Sequence, residues 1–446
     1  MFLIRDVTVV TMDATRRVIV DGAIAIDGPR IAAVDKTTVL GARYPNANVV
    51  AGRGMVAIPG LIDAHAHADQ SILRGTTDDL HWIPFLEDWI DPYLGRRDPA
   101  DTRAAYGLSA LEMVKGGTTC FISPNVDPSD EIAALIAVTG QIGIRAVFAF
   151  WVEPDTDMTP TVARVEATHG ADGGRVQGWF GLKVPRQPGD HYQPDFYPRV
   201  ADEARRLGTG VVYHFCSEIE DAAYYESTFG VRPAEWARDH DALGPHVAVI
   251  NACWSTPGEI DILAATGTHV VYSPSATAKM ATGVTPAVDM LAAGVNVALG
   301  TDGGANNNSH DMIREMKAAC LLQNSVRRQA GALPAETALE LATIGGARAI
   351  GRADELGSLE AGKRADVVLV DLAQSHSMPV ADAVSSLVYA AHGGNVDTVF
   401  IDGRLVVRDR VVKGVDEASV LADADAAARR VRGRILPARA PRWPRV

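Results

Sequence analysis

A chain of 446 residues with 47% hydrophobic and 22% charged residues is globular, and it is long enough for a large barrel-type domain plus a smaller one. The formal net charge of −13 argues against nucleic acid or an anionic membrane surface as the main partner. No apolar run reaches the length of a membrane span, and the N-terminus enters strand-like sequence without a signal-type apolar region, which predicts a cytoplasmic protein.

Residues 2 to about 57 alternate apolar and polar positions between turn residues, as in Ala23-Ile24-Ala25-Ile26 ahead of Asp27-Gly28-Pro29. This predicts a small antiparallel sheet that cannot close a large core alone. From residue 58 the texture changes to short apolar runs separated by amphipathic helices. Eight candidate strands follow: Leu61 to His67, Thr118 to Ser123, Arg145 to Trp151, Val176 to Val184, Gly210 to Phe215, His246 to Asn251, Thr268 to Ser273 and Val295 to Thr301. Ser129 can cap a helix through Ile132, Leu135, Ile136 and Thr139, while Thr256-Pro257 and Thr285-Pro286 each put a cap before a proline. Eight strands alternating with helices predict a (β/α)8 barrel of the TIM type.

After about residue 355 the strand pattern returns with Asp366 to Asp371 and Val396 to Ile401, then a helix from Leu421 to Val431. The predicted organisation is therefore a barrel over 58–355 inserted into a small β-sandwich domain built from residues 1–57 and 356–446. Seven arginines between Arg429 and Arg445 read as a solvated basic terminus. Four widely spaced cysteines without a C-x-x-C pair read as free buried thiols.

Barrel enzymes carry their chemistry at the C-terminal ends of the strands. Strand one offers His65 and His67, two apart and therefore on one face. Strand five ends in Tyr213-His214-Phe215-Cys216-Ser217-Glu218, and strand eight in Gly300-Thr301-Asp302-Gly303. Strand eight neighbours strand one in a closed barrel while strand five lies across the mouth, so His65, His67, His214 and Asp302 converge. Three imidazoles and a carboxylate suit one divalent metal, Zn2+ first, with Fe2+, Mn2+ and Co2+ also compatible. No phosphate-binding Gly loop, H-E-x-x-H or G-x-S-x-G motif is present.

His65-Ala66-His67, His214, Gly300-Thr301-Asp302-Gly303 and the run Leu356 to Asp366 together resemble the amidohydrolase superfamily. The branch they look most like holds the cytosine, guanine and S-adenosylhomocysteine deaminases and the triazine hydrolases, and the resemblance covers nearly the whole chain. It implies hydrolysis of a C–N or C–Cl bond on a nitrogen heterocycle, usually with one metal, by a homodimer or larger homo-oligomer. Asp302 would then take a proton from the attacking water, and Glu218 would protonate the ring nitrogen. The family spacing is His-x-x-Glu, which puts Ser217 in the glutamate's place, so a bulge is needed to bring Glu218 in.

Two departures stand out. The family's strand-six histidine falls on Asn251, which can orient water or substrate but cannot carry a proton near neutral pH. Strand four carries Lys183-Val184-Pro185-Arg186, where Lys183 and Arg186 could meet substrate or pair with a carboxylate; related enzymes bridge two metals with a carboxylated lysine on that strand. Trp82, Phe85 and Trp89 lie where a lid over a flat ring would sit or where they would pack on the barrel, and Asn306 follows Asp302 in a polar loop that could contact substrate or only make a turn. The other histidines, His81 and His310 among them, lack strand-end partners and read as structural or exposed. Three readings follow: a metal-dependent deaminase or chlorohydrolase of a heterocycle, an amide or cyclic-amide hydrolase with Lys183 in a two-metal site, and a catalytically silent binding protein in which Asn251 marks lost activity.

Overall fold

The computed structural model describes residues 1–127, 131–154, 156–187, 189–190, 192–435 and 443. The expected cap Ser129, His191 and the tail arginines Arg439, Arg442 and Arg445 lie outside them.

Each of the eight candidate strands forms, in sequence order and in parallel: Leu61–Asp63, Thr118–Val126, Arg145–Val152, Val176–Leu182, Val211–Phe215, Val247–Asn251, His269–Tyr272 and Val297–Leu299. Two backbone hydrogen bonds carry the last strand onto the first, Ala64 N–H to Leu299 O at 2.9 Å and Asp302 N–H to His65 O at 2.8 Å. The continuous apolar runs have a simple origin, since parallel strands are covered on both faces. Ile122, Val147, Val212, Ile250, Val271 and Ala298 pack together in the inner cluster. Their neighbours Phe121, Phe148, Tyr213, Val249, Val270 and Leu299 belong to the cluster that includes the surrounding helices. A side-chain period of two thus gives the barrel a mainly aliphatic interior, with Trp179 its one aromatic among the described residues, and an aromatic-rich exterior.

The helix Pro257–Thr266 starts as expected, with the Thr256 side chain accepting from Glu259 N–H, and ends on Gly267 at φ +71°. Thr285 does not cap its helix, which begins one residue late at Ala287; its hydroxyl donates to Asn251 O instead.

Strands from both chain ends share a second, nine-stranded mixed sheet, in which Met55–Pro59 pairs antiparallel with Val367–Asp371. In a flat sheet Phe2 and Phe400 would stand three strands apart, roughly 14 Å. Their rings are 5.3 Å apart, and Ile26, Ala57, Val367 and Phe400 share one buried cluster. The sheet therefore folds face to face on itself, which is how one hydrogen-bonded path makes a sandwich. Arg145, at the start of barrel strand three, is buried against Asp366 and Asp402 of this sheet, with Nε 2.8 Å from Asp366.

The described arginines of the basic end are exposed, as the sequence suggests, and two of them are also paired with Asp101. Helix Glu417–Ile435 lies against helix Pro99–Lys115, and Arg430 and Arg434 donate to the fully buried Asp101 at 2.7 and 3.0 Å. A buried carboxylate needs cationic partners, and these arginines supply them. No helix among the described residues is long and apolar enough to cross a membrane. All four cysteines are free and buried.

Candidate metal centre

Three strand ends build the centre. His65 is fully buried, and the rings of His65, His67 and His214 lie 4.8, 5.0 and 5.6 Å from one another. One ligand atom from each falls within 4.8 Å of the other two, and this is the single group of that kind among the described residues. Asp302 Oδ1 approaches His65 Nε2 at 3.3 Å and His67 Nε2 at 3.7 Å.

Burial, with His65 as a further cause, lowers the His67 and His214 pKa values, and lowers His214 well below the ordinary imidazole value. Burial pushes the Asp302 carboxyl up, but the three facing imidazoles outweigh it and hold the group anionic. Neutral imidazoles and an ionised carboxylate are the states in which protein groups ligate a cation. His65 Nδ1 and Nε2 and Asp302 Oδ1 are buried without a hydrogen-bond partner. Orphaned atoms of this kind cost about 1–3 kcal/mol each unless something else satisfies them, and a shared cation satisfies convergent lone pairs. The donor set fits a divalent metal.

Asp63 fixes the two neighbouring strand ends relative to each other. It accepts from Thr301 N–H at 2.9 Å, Thr301 O–H at 2.5 Å and His65 N–H at 3.3 Å. Thr301 Oγ1 also lies 2.8 Å from His310 Nδ1, whose Nε2 is 3.2 Å from Ser71 Oγ. With the Thr301 proton directed at Asp63, Nδ1 is the protonated nitrogen and Nε2 the acceptor. His310 is thus a buried, fully used part of the framework, the structural one of the two alternatives, structural or exposed, that the sequence left open. An aspartate inside an apolar strand, two residues before His65, was the available sign of this network.

Strand five keeps its register with strand six through Phe215, with no bulge, and the chain turns only beyond the strand. Cys216 takes φ +45°, a backbone conformation rare for such a side chain, and turns the chain between His214 and Glu218. Asp221 then accepts from the backbone N–H groups of Ser217 and Glu218 at 2.8 and 3.1 Å. The Glu218 side chain is 8% exposed, its Oε1 has no hydrogen-bond partner, and its Oε2 lies 3.8 Å from His81 Nε2. Burial first, and Asp221 next, push its carboxyl up to about 7.

Asn251 closes strand six at φ +74°, a conformation Asn tolerates better than most residues. Its Nδ2 donates to Ser217 Oγ at 3.2 Å, and its buried Oδ1 has no partner.

The expected substrate contacts are largely committed elsewhere. Arg186 makes a two-pronged pair with Asp221 at 3.0 and 2.8 Å and stacks over Trp82 at 5.0 Å, so it supports the Ser217–Glu218 turn. Lys183 Nζ lies 3.7 Å from Asp190 and 3.9 Å from Glu153; two carboxylates that close disfavour the anionic carboxylated form of a bridging lysine. Asn306 Oδ1 accepts from Gly303 N–H at 2.8 Å and shapes the loop after Asp302. Trp89 is buried in the π-helical turn Leu86–Ile90, and it is the Trp82 ring that stands 6.1 Å from His214.

The amidohydrolase family profile matches residues 56–406. The chain is 35% identical over 428 residues to 5-methylthioadenosine/S-adenosylhomocysteine deaminase of Moorella thermoacetica, covering 94% of this chain and 97% of that protein. Among solved structures it superposes on an adenosine deaminase from Xanthomonas campestris with bound zinc, with TM-score 0.91, 30% identity and 97% and 98% of the two chains covered. It also superposes on atrazine chlorohydrolase from Arthrobacter aurescens complexed with zinc, with TM-score 0.86, 25% identity and 96% and 100% covered.

Proposed function

The chain belongs to the amidohydrolase family, and from that membership we propose that it is a zinc-dependent deaminase that hydrolyses the exocyclic C–N bond of a purine nucleoside. The observation that carries this is the convergence of three imidazoles from strands one and five with a carboxylate from strand eight. The relatives' names put adenosine-type nucleosides first and chlorinated triazines second as candidate substrates. A cytoplasmic, homo-oligomeric enzyme is part of the same reading.

His65, His67, His214 and Asp302 would hold one divalent cation. When bound, such a cation supplies the Lewis acidity that brings deprotonation of water within reach of neutral pH. Asp302 takes up the proton that the water loses. Glu218, which keeps its proton up to about pH 7 because it is buried, donates that proton to the ring nitrogen as electron density builds there. Asn251 hydrogen-bonds water or substrate without moving a proton.

The test pairs metal analysis with ammonia release from adenosine, its 5′-substituted derivatives and a chlorotriazine. The reading expects about one zinc per chain, ammonia equal to the nucleoside consumed, and loss of activity on chelation. Protein without bound transition metal, or metal-loaded protein that releases neither ammonia nor chloride, overturns it. Asn251 supports the second reading, a silent binding protein, which expects nucleoside affinity without turnover.

A further inference from the structure

The Glu218 carboxyl is enclosed, with its side chain 8% exposed, so a proton it gives up has to be replaced through a neighbouring group. The groups that face it are Asp221, Arg186, Glu220 and Cys253, whose thiol burial pushes up to about 12, with His81 at 3.8 Å. Asp221 is occupied by two backbone N–H groups and by the guanidinium of Arg186, and a guanidinium does not release its proton. Glu220 is a second acid on the same helix start. His81 differs from all of these. It sits in the segment after strand one, beside the Trp82 that stacks on Arg186, and its ring is 52% exposed while Glu218 is 8% exposed.

We propose that His81 is a positioning residue for catalysis: it exchanges a proton with Glu218 and links that enclosed carboxyl to bulk water. The inference rests on the deaminase reading above. In the step, the Glu218 Oε2–H bond breaks and a bond forms from the proton to His81 Nε2, giving an imidazolium. The Nδ1 proton then passes to water and leaves a neutral ring, and the reverse sequence reloads Glu218 between turnovers. A shift of less than about 1 Å brings the pair to hydrogen-bond length, and such contacts are often long before substrate binds. An imidazole suits the task because its charge changes near neutral pH.

Two measurements test this, and the first does not depend on turnover. NMR of the His81 ring in the metal-loaded protein should show its nitrogen signals shifting when Glu218→Gln changes the group it faces; unchanged signals overturn the proposal. The second uses His81→Ala, which should lower kcat by about ten- to a hundredfold with metal content and KM preserved, and imidazole added to the buffer should restore part of the loss. Full activity, or a loss that imidazole does not restore, overturns it. If the wild-type protein deaminates nothing while the NMR coupling is present, the deaminase reading fails and the His81–Glu218 pairing stands.

Discussion

Asp63 accepts both the backbone N–H and the hydroxyl of Thr301, at 2.9 and 2.5 Å, and so clamps the end of barrel strand one to the end of strand eight. His65 and Asp302 sit immediately beyond this clamp, one on each strand. Their 3.3 Å approach therefore depends on a carboxylate that touches neither the proposed metal nor the substrate.

Removing the clamp should cost both stability and metal affinity. Asp63→Ala leaves the two Thr301 donors and His65 N–H buried without an acceptor, a loss of about 3 kcal/mol in urea unfolding of the metal-free protein. Zinc affinity should fall about 10- to 100-fold, as is usual when a partner behind the ligands is lost. Asp63→Asn, which keeps one acceptor oxygen, should fall between Ala and wild type in both measurements.

Asn251→His restores the imidazole that strand six lacks. The variant should release ammonia faster than wild type and show a new ionisation near the ordinary imidazole pKa in its pH–rate profile. Its stability should drop by about 1 kcal/mol, because φ +74° suits Asn better than His. A slower variant would show that the Asn251 amide itself contacts water or substrate.

His310 should contribute to acid unfolding. Burial, with Arg74 adding to it and Glu112 opposing, lowers its pKa from 6.5 to about 4. The unfolded chain therefore binds the proton more readily than the folded one, so this contribution is complete above about pH 6.5 and is lost as pH falls toward 4. The difference is worth about 3 kcal/mol as an order of magnitude. Denaturant midpoints of wild type and His310→Gln measured from pH 7 to 4 should converge as pH falls.

Arg145 joins the barrel to the terminal sheet. Arg145→Ala strands the buried carboxylate of Asp366, while Asp402 keeps Arg364 at 3.2 Å, and it should destabilise the protein by about 3–5 kcal/mol in calorimetry or denaturant titration. Metal content of the protein that remains folded should be unchanged, since Arg145 lies at the opposite end of its strand from the metal centre.

Periodicity and terminal residues were enough to locate all eight barrel strands and to nominate His65, His67, His214 and Asp302, because both signals are local. A buried parallel strand must be apolar along its length, and a site at a barrel mouth must be drawn from strand ends. What stayed hidden was set by side chains from distant segments meeting. The sequence leaves Arg186 between substrate and a carboxylate partner, and Asn306 between substrate and a turn; which carboxylate and which turn are seen only with Asp221 and Gly303 in place. His81 looks unpartnered because Glu218, 137 positions away, reaches it only after Cys216 turns the chain. The sequence determined which residues stand at the mouth. Their partners were decided by the closed barrel, because hydrogen bonds and ion pairs act over a few ångströms of space whatever the separation along the chain.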